Sequence, residues 1–246
     1  MQQKYFNAQI VKREDVASDL FKLWLTLEDV EQFTFNPGQY CTIGLPAEDG
    51  SGVIWRPYSI VSAPHENSIE IFIELVPPPE GNLTPLLYDL KVGDQVYLLP
   101  KAKGIFLFEP KYRNQIMVAT VTGIAPFMSM LRNYEHEGNS GHSFYVLQGA
   151  SYMDEFGYDK ELELLKLRGM DLKYQPTVSR PEEDRNNLWG RQTGRVNNIL
   201  EEYLTRWGIS EYNTIVYACG HPEMIRDVKA RLAPKIWKVK EERYWK

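Results

Sequence analysis

Within one short run, Arg56-Pro57-Tyr58-Ser59 offers a fixed cation, a flat aromatic ring and a hydroxyl. It lies between Val53-Ile54-Trp55 and Ile60-Val61-Ser62, a stretch that reads as a strand. Pro57 fixes its own φ and drives Arg56 toward an extended conformation, so the side chains of Arg56 and Tyr58 share one face. A guanidinium can grip the oxygens of a diphosphate bidentately. A tyrosine ring one pleat away can lie flat on a conjugated ring system. With the small donor and acceptor of Ser59, these groups suit a flavin dinucleotide.

Three further stretches carry chemistry. Thr120-Val121-Thr122-Gly123-Ile124-Ala125-Pro126 and Ala218-Cys219-Gly220-His221-Pro222 each run strand, glycine turn, proline, helix. Glycine lets the backbone approach a ligand and the helix N-terminus then faces it. In open parallel sheets ligands bind at the carboxyl ends of the strands. The chain holds no Gly-x-Gly-x-x-Gly and no Walker loop, so the standard dinucleotide fingerprint is absent. Gly81-Asn82-Leu83-Thr84-Pro85 precedes Leu86, Leu87 and Leu90. Thr84 reads as an N-cap and Pro85 as the first helical residue, with the free amides and helix dipole forming an anion site.

These motifs need two kinds of scaffold. Up to about Phe108 the sequence reads as all-β: Phe21, Leu23, Leu25 and Leu27 alternate with Lys22, Trp24 and Thr26, and Ile69, Ile71, Ile73 and Leu75 mark a further strand. Asn36-Pro37-Gly38 and Gly93-Asp94 supply turns, so a small antiparallel β-barrel is expected over residues 1–110. After Glu109-Pro110-Lys111 strands alternate with helices. Strands are predicted at Ile116–Thr120, Phe144–Leu147, Leu172–Val178 and Thr214–Ala218. Helices follow around Phe127–Tyr134, Leu162–Lys166, Val196–Trp207 and Pro222–Leu232. Residues 111–246 therefore predict an α/β domain with a parallel sheet and helices on both faces, the boundary falling near 109–114.

Composition sets bounds. A chain of 246 residues suits two domains of ordinary size. The formal net charge of −5 argues against a nucleic-acid binder. The cysteines, Cys41 and Cys219, are too few for an iron–sulfur cluster and form no zinc pattern, so no metal is expected. No apolar run is long enough to span a bilayer and the start lacks a signal-peptide pattern, which makes a cytoplasmic protein the expectation.

Taken together, the motifs resemble the ferredoxin/flavodoxin–NADP⁺ reductase family over nearly the whole chain. Arg56-Pro57-Tyr58-Ser59 resembles its first FAD motif and Gly81-Asn82-Leu83-Thr84 its second. Thr122-Gly123-Ile124-Ala125-Pro126 and Cys219-Gly220-His221-Pro222-Glu223-Met224 resemble its two nicotinamide-nucleotide motifs, and Glu242-Arg243-Tyr244-Trp245 the Tyr-Trp tail of the bacterial subclass. The resemblance implies FAD and NADP(H) as cofactors. Arg56 would bind the FAD diphosphate, Tyr58 stack on the isoalloxazine, and Ser59 sit near its N5; Pro57 shapes that strand. Gly81, Leu83 and Thr84 would complete the phosphate site, while Tyr244 and Trp245 would cover FAD.

Thr122, Gly123 and Gly220 would cradle the nicotinamide nucleotide, with Cys219 facing the nicotinamide. Ser59 and Cys219 are the implied catalytic pair, aligning hydride donor and acceptor without acting as nucleophiles. Ser179, Arg180, Arg191 and Arg195 would hold the adenosine 2′-phosphate. Two departures stand out: Ser151 occupies a position where enterobacterial relatives place arginine, and Lys246 extends beyond the usual tail end.

The implied activity moves electrons between NADPH and a ferredoxin or flavodoxin through FAD, in a monomer without membrane insertion. Because those carriers are acidic, Lys101, Lys103, Lys111 and Arg113 are candidates for docking. The alternatives are an NADH-dependent reductase component of an oxygenase, a free-flavin reductase, and a non-catalytic flavin- or nucleotide-binding subunit.

Overall fold

In the computed structural model residues 5–27 and 33–244 are described. Contacts divide the chain into two units, Met1–Phe108 with Ala125–Tyr134, and Glu109–Ile124 with Glu135–Lys246.

The first unit is built on six strands: β1 (Phe6–Ala17), β2 (Leu20–Leu27), β3 (Tyr40–Pro46), β4 (Val53–Ser59), β5 (Ile69–Glu74) and β6 (Gln95–Leu98). They form an antiparallel sheet in the order β4-β3-β6-β1-β2-β5. Its two ends meet where Ile60 bridges Ile71 and Val61 N–H donates to the Glu70 carbonyl at 2.8 Å, which curls the sheet into a barrel. The alternation read from the sequence fills the interior: Phe21, Leu23, Leu25, Ile43, Ile71 and Leu98 are all 0% exposed.

Lys22, on the other phase of that alternation, is also buried. It lies opposite Glu14 and donates to its carboxylate at 2.8 Å, so a cross-strand ion pair stands where solvent is expected. A helix, α1 (Thr84–Asp89), sets Leu87 into the barrel core beside Leu83.

The segment Ala125–Tyr134, which the sequence reading places with the second domain, groups with this first unit. Arg132 Nη1 lies 2.6 Å from Glu70 Oε2, a carboxylate only 2% exposed, and Ser129 donates to the Ser62 carbonyl at 2.7 Å. A charge buried that deeply needs such a partner.

The second unit carries β7 (Asn114–Thr120), β8 (Ser143–Ala150), β9 (Leu172–Val178), β10 (Thr214–Gly220) and β11 (Lys238–Arg243). All neighbours pair in parallel, in the order β11-β10-β7-β8-β9. The helices are α2 (Ala125–His136), of which the last residues belong here, α3 (Asp159–Leu167), α4 (Val196–Arg206) and α5 (Pro222–Leu232). One face of the sheet, with Ile116, Val118, Leu147 and Val216, packs on Ile199 and Leu200 of α4 and Ile225 and Val228 of α5. Strand β11 has no counterpart in the sequence reading. It is an edge strand of mostly charged residues, some of them paired, Lys229–Glu241 at 2.8 Å and Lys240–Glu109 at 2.6 Å, so its sequence lacks an apolar signal.

Strand order reverses between β7 and β10: the chain leaves β7 toward β8 and β9, then crosses back to β10 on the other side. This is the switch point at which parallel sheets open a crevice beyond their carboxyl ends. Two of the sequence motifs end these two strands.

Candidate functional site

At the switch point the loops after β7 and β10 grip one another. Thr120 Oγ1 accepts from His221 N–H at 2.9 Å. Gly220 has φ +119°, and a Cβ there would lie 2.2 Å from Thr120 Oγ1. A Cβ on Gly123 would lie 2.3 Å from the Cys219 carbonyl oxygen. The glycines expected to admit a ligand thus first let the two strand ends touch each other. Between them Val121 adopts φ +39°, a left-handed conformation costly for a β-branched residue, as is common where a loop is shaped for function. Helix α5 then starts on His221, whose Nδ1 accepts from Glu223 N–H at 3.2 Å, with Pro222 in the first turn.

Cys219 is fully buried, and its thiol approaches Glu242 Oε2 at 3.9 Å across the β10–β11 pairing. Burial, then the Glu242 charge, pushes the thiol well above its usual range, which favours the protonated form. Tyr244 reaches over from the end of β11 to donate to the Thr122 carbonyl at 3.1 Å. Thr122, Gly123, Cys219, Gly220 and Tyr244 therefore form one cluster, and Glu242 joins it. No role was read for Glu242 from the sequence; its place two residues before Tyr244 in the tail motif is the signal that was there. Trp245 and Lys246 lie outside the described residues.

A second cluster forms at the end of β9. Val178 bridges Thr193, Gly194 N–H donates to the Val178 carbonyl at 2.8 Å, and Thr177 Oγ1 donates to the Gly194 carbonyl at 2.7 Å. This lays Arg195, the residue before α4, beside the Ser179–Arg180 turn. Ser179 N–H is tied to the Ala150 carbonyl at 2.9 Å. Asn186, 2% exposed, pins the neighbouring loop: it donates to the carbonyls of Ser151 at 2.9 Å and Arg180 at 2.8 Å and accepts from Met153 N–H at 2.8 Å. Glu155 accepts from the amides of Ser151 at 2.8 Å and Tyr152 at 3.1 Å. Ser179, Arg180, Arg191 and Arg195 are all exposed, with Arg191 standing 6.0 Å from the Trp189 ring. Sequence reasoning missed Tyr152 and Arg185, which pack together at 4.2 Å in this cluster.

In the first unit, Arg56, Pro57, Tyr58 and Ser59 lie on β4 opposite Ile43, Thr42, Cys41 and Tyr40. Pro57 is tolerated because β4 stands at one end of the sheet order. Arg56 is exposed and donates to the Trp55 carbonyl at 2.8 Å; among the described residues no carboxylate pairs with it. The Tyr58 ring packs on the barrel core, and its hydroxyl is buried with no hydrogen-bond partner. Such a buried hydroxyl is costly alone and is what a bound polar group would satisfy. Burial holds the phenol above its ordinary range. Ser59 is buried, 7% exposed.

The second expected FAD motif differs in detail from its reading. Thr84 is not the N-cap: Leu83 holds that position, already in helical conformation, and makes no side-chain cap. The Thr84 hydroxyl instead ties α1 to Val76, accepting from its N–H at 3.0 Å and donating to its carbonyl at 2.9 Å. The Leu83 side chain is core, 1% exposed, so only its backbone is available to a ligand. Gly81 passes so close to Val76 that a Cβ would lie 1.8 Å from that residue's carbonyl oxygen. Among the described residues no group of three or more His, Cys, Asp or Glu could hold a metal, and both cysteines are free and buried.

The chain thus joins an antiparallel barrel, carrying an uncompensated arginine and an orphan tyrosine hydroxyl, to a parallel sheet with interlocked strand ends. Comparisons with known proteins name the class. Residues 7–101 match the oxidoreductase FAD-binding domain and residues 117–230 the oxidoreductase NAD-binding domain. The flavodoxin/ferredoxin–NADP reductase of Buchnera aphidicola (subsp. Schizaphis graminum) is 31% identical over 91% of this chain and 88% of its own length.

A crystal structure of a ferredoxin NADP⁺ reductase from Neisseria gonorrhoeae with bound FAD and NADP shares the fold, with a TM-score of 0.85, 23% identity, and coverage of 99% of this chain and all of that one. The anthranilate 1,2-dioxygenase electron transfer component of Acinetobacter baylyi is 28% identical over 83% of this chain, which spans 56% of that protein. The chain belongs to the flavodoxin/ferredoxin–NADP reductase family. No helix among the described residues is long and apolar enough to cross a membrane.

Proposed function

We propose that this protein passes electrons between NADPH and a ferredoxin or flavodoxin, through FAD, as a cytoplasmic monomer. The observation that carries the reading is the cluster of Thr122, Gly123, Cys219, Gly220 and Tyr244 at the switch point, built on loops that hold each other in place. Bound FAD supplies the chemistry, taking a hydride and releasing single electrons.

The chain's own residues orient and shield. Arg56, uncompensated, grips the diphosphate, and Tyr58 offers its ring to the isoalloxazine and its hydroxyl to a polar group of the cofactor. Ser59 offers a hydrogen bond at N5. Gly81 and Thr84 hold the backbone that carries the second phosphate contact. The second unit holds the nicotinamide nucleotide through Thr122, Gly123 and Gly220, with the Cys219 thiol kept protonated beside it. Ser179, Arg180 and Arg195 receive the adenosine 2′-phosphate, with Arg191 at the rim. Lys101, Lys103, Lys111 and Arg113, all exposed, are the candidates for meeting the carrier, acidic by class.

The test is anaerobic. Purified protein loaded with FAD should be bleached by NADPH and should then reduce flavodoxin or ferredoxin. A protein that stays colourless with excess FAD refutes the flavin site. Reduction by NADH at equal or greater rate refutes the NADP assignment and favours the oxygenase-reductase alternative, to which the dioxygenase relative belongs.

A further inference from the structure

Arg180 already has side-chain partners that a phosphate would have to compete with. Its Nη1 donates to the Tyr152 hydroxyl at 2.8 Å, and that hydroxyl donates in turn to Glu183 Oε2 at 2.5 Å. Glu183 Oε1 stands 3.6 Å from the same Arg180 nitrogen, closing a triangle of three side chains. The triangle is held from below: Glu183 N–H donates to the Arg180 carbonyl at 3.2 Å, and Asn186 fixes that carbonyl from the other side at 2.8 Å. Arg185, packed on the same tyrosine ring, is likewise engaged. Arg185 is held by Asp154 at 2.9 Å and lies 3.8 Å from Glu155. Position 151, where an arginine could have contributed, is serine.

We infer that Glu183 is a specificity-determining residue, one that competes with the adenosine 2′-phosphate for Arg180 and so narrows the preference for NADPH over NADH. The inference rests on the reading that Arg180 receives that phosphate. A dianion arriving at Arg180 must displace a carboxylate already seated there, whereas the neutral 2′-hydroxyl of NADH need not. A carboxylate at this place can even accept from that hydroxyl, as acidic residues do in NAD sites of other parallel-sheet proteins. Arg195, exposed and in no ion pair among the described residues, keeps some attraction for the phosphate and explains why competition narrows the preference without reversing it.

The experiment titrates the FAD-loaded protein calorimetrically with 2′,5′-ADP and with 5′-AMP, and reads the ratio of the two affinities. Glu183→Gln should raise that ratio about two- to fivefold, the scale of a competing ion pair between half-exposed side chains. Glu183→Ala should do the same, and Glu183→Asp, which keeps the charge, should stay near the parent. Glu183 is 51% exposed, so these variants should fold. Arg180→Ala separates the two ideas. If it leaves the parent's ratio intact, Arg180 does not bind the phosphate and the underlying reading fails. If it collapses the ratio while the Glu183 variants leave it unchanged or lower it, the site is right and the competition by Glu183 is refuted.

Discussion

Replacing Gly220 with alanine tests the interlock at the switch point. Its φ of +119° lies where L-residues rarely go, at a cost of about 1–3 kcal/mol. The new Cβ would meet Thr120 Oγ1 at 2.2 Å and that residue's backbone oxygen and nitrogen at 3.0 and 3.2 Å. The hydroxyl can swing away, but it then gives up the bond from His221 N–H, worth about 1 kcal/mol. The sum is about 2–4 kcal/mol, or a melting temperature lower by roughly 5–15 °C. Urea unfolding followed by circular dichroism, for Gly220→Ala, Thr120→Ala and the double variant, measures it. In the double variant the closest contact and its hydrogen bond are already gone, so what remains is the backbone strain and the approaches to the residue 120 backbone. The double should therefore be more stable than the sum of the singles predicts, by about 1 kcal/mol. Additivity of the two changes, or a Gly220→Ala cost below about 1 kcal/mol, would refute the reasoning.

Other expectations follow from single features. Arg56→Ala should weaken FAD binding about 10–100-fold, the loss of a charge-assisted bond of roughly 1.5–3 kcal/mol, measured by recovery of flavin fluorescence. Thr84→Ala removes both hydrogen bonds to Val76 and should cost about 1–2 kcal/mol of unfolding free energy without altering NADP⁺ affinity. Ellman's reagent should find neither cysteine in the native protein at pH 8 and both after unfolding, because Cys41 is buried with its thiol pushed up to about 12 and Cys219 is shifted upward as well. Asp227 is held below its ordinary 3.8 by Arg231 and then Asn197. A lowered carboxylate stabilises above its unfolded pKa and loses that contribution as pH falls through the folded one. Asp227→Asn should therefore cost up to about 1 kcal/mol at pH 7 for this solvent-screened pair, and the difference should shrink in acid melts as the pH is taken below the carboxylate's ordinary 3.8.

Much of this was legible because apolar periodicity and turn chemistry are local. The alternation from Phe21 to Leu27 and the helical spacing from Val196 to Trp207 each name a buried face, and each face is buried. The glycine–proline devices after β7 and β10 were visible as motifs, but not their mutual grip, which depends on two segments about a hundred residues apart. Thr84 misled because a threonine before proline at a helix start is a good cap in isolation; here the nearby Val76 backbone offers its hydroxyl two bonds instead of one. Strand β11 was hidden because its one apolar side chain, Val239, sits among charged residues and leaves no periodic signal. The Tyr152–Arg180–Glu183 triangle was hidden because it joins the ends of two neighbouring strands, and sequence spacing carries no trace of that.

The placement of Ala125–Tyr134 with the first unit bears on how the protein can be made and dissected. A ribosome delivers all six barrel strands by Leu98, yet the guanidinium that compensates the nearly sealed Glu70 carboxylate arrives only with Arg132, after β7. Losing one partner of a buried ion pair typically costs about 3–5 kcal/mol, a large share of a domain's whole stability. The barrel should therefore mature late during synthesis, and a gene cut near residue 110 should yield a fragment that is prone to aggregate. A domain exchange between relatives would succeed by moving this helical segment together with the strands it completes.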